Sequence, residues 1–132
     1  MCIRDRNNDV SKKMNSMMRK VVSEGTAKLV NVEGYQVGGK TGTAEQVLNS
    51  IYSKTKINTL ASIFPTDSPK FVLVVMLEST KNNKNYTYEY RDGSGFKLLG
   101  SPRNTAGWTS VEAAGKIIDK IGPILATKYI EN

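Results

Sequence analysis

The residues best placed to do chemistry lie within one short stretch, Gly34-Tyr35-Gln36-Val37-Gly38-Gly39-Lys40-Thr41-Gly42-Thr43. Gly34-x-x-x-x-Gly39-Lys40-Thr41 satisfies the pattern G-x-x-x-x-G-K-[ST] of a phosphate-cradling loop. Such a loop needs a strong apolar strand before it and a helix after it, so that backbone N–H groups and a helix N-terminus meet the phosphates. Phe71 to Glu78, an apolar run ending in a carboxylate, could serve as the accompanying strand. The flanks fit poorly, because Gly42 falls in the first turn of the required helix and the preceding apolar run, Leu29 to Val32, is broken by Asn31. The competing reading makes the stretch a strand. Glycines 38, 39 and 42 weaken a strand unless something must approach the backbone closely.

Composition narrows the chemistry further. The 132 residues include no histidine and one cysteine, Cys2. Histidine bases, Ser-His-Asp triads and multi-cysteine zinc sites are therefore excluded, and proton transfer falls to lysine, carboxylate or tyrosine. Hydrophobic residues are 39% and charged residues 23%, as in an ordinary globular domain with a core. No run approaches the roughly 18 apolar residues that span a bilayer, and Met1 to Arg6 lacks the apolar segment of a secretory signal. The net charge of +7, from 19 Lys+Arg against 12 Asp+Glu, is scattered along the chain. It fits a solvated surface and an anionic small ligand rather than a nucleic-acid footprint.

The elements that must position this stretch follow from periodicity. Val10, Met14, Met17, Met18, Val21 and Val22 recur at helical spacing, so Asp9 to Glu24 reads as an amphipathic helix capped by Asp9 and stopped at Gly25, with methionines filling the core. Tyr35 to Glu45 and Ile57 to Phe64 read as strands, with Asn49 to Lys56 as a polar connection between them. Pro65-Thr66-Asp67-Ser68-Pro69 is a turn, and Phe71 to Leu77 a buried central strand. Ser79 to Gly107 is a long polar loop in which Tyr86, Tyr88 and Tyr90 alternate as on one face of a short strand. Thr109 or Ser110 caps a last helix whose apolar face is Val111, Ala114, Ile117, Ile118, Ile121 and Leu125, with Pro123 kinking or ending it. The order predicts an α+β fold: a partial antiparallel sheet of about three strands with flanking N- and C-terminal helices, leaving a sheet face or edge uncovered.

Four segments in order resemble class B penicillin-binding proteins, the septal peptidoglycan D,D-transpeptidases. They are Met17-Met18-Arg19-Lys20-Val21-Val22-Ser23-Glu24-Gly25-Thr26-Ala27, then Gly34 to Glu45 with its Lys-Thr-Gly-Thr-Ala core, then Asn58-Thr59 through Phe64-Pro65 to Val75, and finally Thr105-Ala106-Gly107-Trp108. The resemblance runs from about Val10 to Leu125 and implies part of the serine penicillin-binding protein/β-lactamase-like fold. It implies catalytic roles for Lys40 and Thr43, and substrate binding by Lys40, Thr41, Gly42 and Thr43. Lys40 would stand near the nucleophile. Thr41 and Thr43 would hydrogen-bond the carboxylate of a D-Ala-D-Ala stem peptide or a β-lactam, the backbone N–H of Thr43 would be an oxyanion-hole donor, and Gly42 would give clearance. No metal or organic cofactor and no nucleic acid are implied. The partners implied are the remainder of the chain's own transpeptidase domain and proteins of the cell-division machinery (the divisome). The implied setting is the bacterial inner membrane, with the catalytic domain on the extracytoplasmic side.

The sequence departs from that pattern in two respects. It contains no Ser-x-Asn motif, and its two Ser-x-x-Lys matches, Ser53-x-x-Lys56 and Ser94-x-x-Lys97, follow Lys40 in polar connections rather than preceding it at a helix start. The expectation is therefore of residues 1–8 as an artefactual N-terminus and 9–132 as the C-terminal part of a transpeptidase domain, inert and poorly soluble by itself. The alternative is a nucleotide-binding protein using Gly34 to Thr41. Trp108 is expected to be a packing anchor, Glu45 a partner for a nearby lysine, and Cys2 has no assigned role.

Overall fold

The computed structural model describes residues 7–48, 50–81, 87–89, 97–99 and 104–129. The α+β arrangement is present. Helix α1 (Asn8–Ser23) leads through a 3-10 turn (Lys28–Val30) into strands β1 (Gly38–Leu48), β2 (Ile51–Phe64) and β3 (Phe71–Glu78). These form one antiparallel sheet of order β1-β2-β3, beside a separate ladder of β4 (Thr87–Glu89) and β5 (Lys97–Leu99). A second 3-10 turn (Ala106–Trp108) precedes helix α2 (Ser110–Tyr129).

One core joins these elements. Leu60 and Phe64 on the inner face of β2 pack with Val22 of α1, Leu29 and Val30 of the first 3-10 turn, and Val111, Ala114 and Ile118 of α2. Burying a side chain of Leu60 or Phe64 size contributes about 1.5–3 kcal/mol each. The i, i+3, i+7 spacing of Val111, Ala114 and Ile118 carries the α2 contact. The face then continues through Gly122, whose added Cβ would stand 2.5 Å from the Tyr35 ring. The predicted α2 face is thus narrower than its apolar residues suggest: Ile117 and Ile121 lie at its margin, and α2 runs past Pro123 to Tyr129.

Helix α1 departs further from expectation. Its cap is Asn7, whose side chain accepts from the Asp9 N–H, two residues before the predicted cap. Only Val22 is fully buried and Met18 is half-buried, while Val10, Met14 and Met17 are exposed, so Met14 and Met17 are not core filler among the described residues. The C-terminal part of α1, from Met18 onward, packs against the start of β1. There Arg19 Nη1 donates to Asn31 Oδ1 at 2.9 Å and to the Val37 carbonyl at 2.8 Å, fixing α1 to the residue that precedes β1.

The strands also differ from the sequence reading. Asn49 to Lys56 is largely strand: Leu48 pairs with Ile51, and Ser50 takes φ 62°, the left-handed backbone that tight hairpin connections need. The polar composition of this stretch reflects exposure on both faces, and the register shifts between Glu45 and Val47 at a bulge. β2, not β3, is central. β3 alternates, with Phe71, Leu73 and Val75 turned toward the core and Val72, Val74 and Met76 outward at 74%, 59% and 66% exposure. An unbroken apolar run here is a one-sided strand whose outer face is uncovered among the described residues. Met1 to Arg6, Tyr86, Tyr90 and Ser94 lie outside the described residues.

Candidate functional site

β1 carries the Gly-Lys-Thr-Gly-Thr stretch along its first half, and pleating sorts the side chains by parity. Thr41 and Thr43 face one way, Lys40 the other. Thr41 pairs in register with Leu60 and Thr43 with Asn58, both buried on the inner face of β2, whereas Lys40 pairs with exposed Ala61 and across it with Val74. The glycines divide as well. An added Cβ at Gly38 would meet Thr66 Cγ2 at 2.4 Å and the α1 backbone at Arg19 at 3.1 Å, and one at Gly39 would meet the Ala61 carbonyl oxygen at 2.7 Å. At Gly42 the nearest atom would be 4.0 Å away, and its φ is not left-handed. Packing accounts for Gly38 and Gly39. Nothing within the described chain requires Gly42 to be glycine.

Thr41 and Thr43 open into a cleft of about 400 Å³ whose other walls are Gly25, Thr26, Lys28 and Leu29 on one side and Thr105 to Trp108 on the other. The cleft exists because the exit of α1 and the approach to α2 both cross this end of β1. Gly107 permits the crossing, since a Cβ there would stand 2.7 Å from the Thr26 carbonyl oxygen.

The hydrogen bonds define what the cleft can hold. Ala106 N–H donates to Thr43 Oγ1 at 2.9 Å, which occupies a lone pair and leaves the hydroxyl proton to be given. Thr26 Oγ1 and Thr41 Oγ1 lie 3.1 Å apart, so one proton bridges the pair and the other is spare. Exposed Lys28 also lines the cleft, which therefore presents two hydroxyl donors and a cationic residue. That set complements a carboxylate or phosphate oxygen.

The four sequence-predicted residues are thus brought together only in part. Thr41 and Thr43 share the cleft, Gly42 lies between them with open space, and Lys40 lies on the opposite face. Lys40 is exposed and its Nζ donates to the Thr41 carbonyl at 2.5 Å. Glu45 is exposed beyond the cleft. Thr26, Lys28 and Ala106 were not singled out from the sequence, although Gly25-Thr26-Ala27 and Thr105-Ala106-Gly107-Trp108 carried the family resemblance. Trp108 both packs against the core and lines the cleft. The phosphate-loop alternative has no support, because Lys40 and Thr41 sit inside strand β1 where that loop would begin a helix. Ser53-x-x-Lys56 lies within β2, where Ser53 Oγ accepts from the Thr55 N–H, and not at a helix start.

Comparison with known proteins points to one family. The family described as penicillin-binding protein transpeptidase domain matches residues 4–94. The "Probable peptidoglycan D,D-transpeptidase FtsI" of Caulobacter vibrioides is 31% identical over 111 residues, covering 79% of this chain and 16% of that protein. An FtsI homolog of Chlorokybus atmophyticus is 40% identical over 72 residues, covering 53% of this chain and 11% of that one. Stage V sporulation protein D of Bacillus subtilis is 38% identical over 74 residues, covering 55% and 12%. The chain therefore spans about a sixth or less of the length of these curated relatives. Among solved structures, the transpeptidase domain of FtsI4 from Legionella pneumophila superposes with a TM-score of 0.60 at 23% identity, over 87% of this chain and 36% of that one. The corresponding domain of Burkholderia pseudomallei penicillin-binding protein 3 gives 0.59 at 22% identity, over 86% and 29%. At such identities these two establish likeness of fold.

Proposed function

We propose, from the premise that this chain belongs to the penicillin-binding protein transpeptidase domain family, that its β1 cleft is the carboxylate-recognising wall of a peptidoglycan D,D-transpeptidase site. The ligand is a stem peptide ending in D-Ala-D-Ala, or a β-lactam that presents a carboxylate in the same position. Thr41 and Thr43 donate to that carboxylate. Lys40, on the other face of the strand, supplies positive charge toward the nucleophile, and the Thr43 N–H is an oxyanion donor. Gly42 gives the incoming chain room to lie along β1, main chain beside main chain.

The reaction is acyl transfer. A serine hydroxyl attacks the penultimate D-Ala carbonyl, the C–N bond to terminal D-Ala breaks, and D-Ala leaves with the serine proton. An amine of a neighbouring stem peptide then takes the acyl group and regenerates the serine. That serine belongs to a Ser-x-x-Lys helix that the present residues do not supply. The partners are accordingly the part of the domain that carries it and, in a division-type enzyme, proteins of the divisome. The setting is the extracytoplasmic face of the bacterial inner membrane, although no described helix is long and apolar enough to cross one. The chain by itself is expected to take no covalent label from a fluorescent penicillin. A labelled residue would remove the nucleophile from the position assigned here.

The observation that carries the reading is the filled acceptor on Thr43 together with the paired hydroxyls of Thr26 and Thr41, which leave donors facing the cleft. Trp108, the sole tryptophan, lines the same cleft and reports on its occupancy. Titration of the chain with an N-acylated D-Ala-D-Ala peptide, followed by Trp108 fluorescence, is compared with the same peptide ending in a carboxamide. The acid is expected to bind about tenfold tighter, the scale of one charge-assisted hydrogen bond. The preference should vanish when Thr41→Val and Thr43→Val are combined. Equal binding of acid and carboxamide would sink the carboxylate reading.

A further inference from the structure

Behind Thr43 lies a part-buried polar cluster that the recognition chemistry does not use. Asn58 is directly opposite Thr43 in register and is fully buried. Its neighbours on the same face, Leu60, Ser62 and Phe64, lead into the core. Its Nδ2 donates to Thr80 Oγ1 at 2.7 Å and to Asn104 Oδ1 at 2.9 Å. Thr80 Oγ1 also donates to Asn104 Oδ1, and Asn104 Nδ2 donates to the Thr80 carbonyl at 2.6 Å. Asn58 Oδ1 has no partner among the described residues. An apolar side chain at this position would leave no orphaned acceptor. What the asparagine adds is position, since three residues from three parts of the chain meet at one point.

That point is one residue from the cleft. Asn104 is followed by Thr105, a cleft wall, and by Ala106, whose amide fills the Thr43 acceptor. From there the path is fixed locally: Trp108 N–H donates to the Thr105 carbonyl at 3.0 Å, and Ser110 Oγ to the Ala106 carbonyl at 3.3 Å. The remaining freedom is where the segment starts, and the cluster sets that. We infer that Asn58, Thr80 and Asn104 form a latch that positions the Ala106 amide on Thr43 Oγ1 and thereby aims the Thr43 proton at the ligand carboxylate. All three are positioning residues acting through Thr43. The inference rests on the carboxylate reading of the cleft.

The test uses the whole chain, the acid and carboxamide forms of the N-acylated D-Ala-D-Ala peptide, and the Trp108 signal. Asn104→Ala is expected to lower the acid-over-carboxamide preference about five- to tenfold while leaving carboxamide affinity unchanged. Amide exchange at Ala106 should speed up in parallel. Asn58→Leu, which fills the buried position without an orphan, should act in the same direction. Combined with Asn104→Ala it should add little, as members of one unit do. A preference that survives both substitutions, with Ala106 still protected, overturns the latch. Equal loss for both peptides alongside a lowered melting temperature also overturns it, leaving a structural role only. If the unsubstituted chain shows no preference for the acid, the carboxylate reading fails first and the latch fails with it.

Discussion

The motif glycines can be separated by a single experiment. Gly39→Ala places a methyl 2.7 Å from the Ala61 carbonyl oxygen and 3.2 Å from Ser62 Cα and Cβ, well inside the 3.4 Å at which ordinary contact begins. Those atoms belong to the central strand, paired on both sides, so relief requires a shift of backbone rather than rotation of a side chain. Overpacking of this kind costs about 1–3 kcal/mol. At Gly42 the same methyl meets only Thr59 Cβ, at 4.0 Å, and φ is compatible with alanine. There the reduced entropy of the unfolded chain should stabilise by about 0.4–1 kcal/mol. The two variants should therefore differ by about 2 kcal/mol in opposite directions from the parent. With an m-value of about 1–3 kcal/mol/M in urea, their midpoints should lie about 1 M apart. Peptide titration should reverse the ranking. Gly42→Ala, the more stable protein, should lose affinity for D-Ala-D-Ala because its methyl occupies room kept for the ligand. If Gly42→Ala destabilises as much as Gly39→Ala, the packing argument is wrong. If it is stable and binds as the parent does, Gly42 is not there for the ligand.

Three further outcomes follow from individual contacts. Arg19→Ala removes both bonds that hold α1 to Asn31 and to the Val37 carbonyl, and should cost about 1–3 kcal/mol in urea unfolding. A cost below about 0.3 kcal/mol would mean that the α1 end is held by Val22 alone. Gly122→Ala drives a methyl to within 2.8 Å of two Tyr35 ring carbons and the phenolic oxygen, and should lower stability by about 1–3 kcal/mol. Tyr35→Leu should recover much of that loss in the double variant, and additivity would refute the clash. Val74→Lys on the outer face of β3 should leave unfolding within about 0.5 kcal/mol of the parent while reducing self-association in sedimentation, because it places a charge on an exposed apolar face.

Legibility in the sequence tracked how local each determinant is. The α1 and α2 periodicities and the β-branched run of β3 were readable because side-chain spacing reports an element directly. Their burial was not, since Met14, Met17 and Val74 carry the same apolar signal whether or not anything packs on them. The start of β2 was hidden because no residue from Ile51 to Thr55 is buried, and alternation marks a strand only where one face is dry. In the candidate site, Thr41 and Thr43 were singled out on their motif, and both line the cleft. Lys40 was grouped with them, although the pleat places its side chain on the opposite face of β1. Nothing in the sequence near β1 names Ala106 or Asn58, because each meets Thr43 only after folding.

This distribution explains how a four-residue motif can be cheap to match and still specific in function. The same letters that satisfy a phosphate loop in the frame Gly34 to Thr41 sit inside a strand here, and the strand changes which atoms are offered. In a loop before a helix, lysine and threonine would converge on one anion from the same side. In β1 they diverge, and of Lys40, Thr41 and Thr43 only the two threonines line the cleft. A hydroxyl's direction is set by its partners, and the chain supplies them from remote points: Thr26 shares a proton with Thr41, fifteen residues away, and the Ala106 N–H occupies a lone pair of Thr43, sixty-three residues away. On the carboxylate reading, chemical selectivity resides less in Lys40-Thr41-Gly42-Thr43 than in Thr26, Ala106 and the Asn58 cluster, which set how its hydroxyls are engaged.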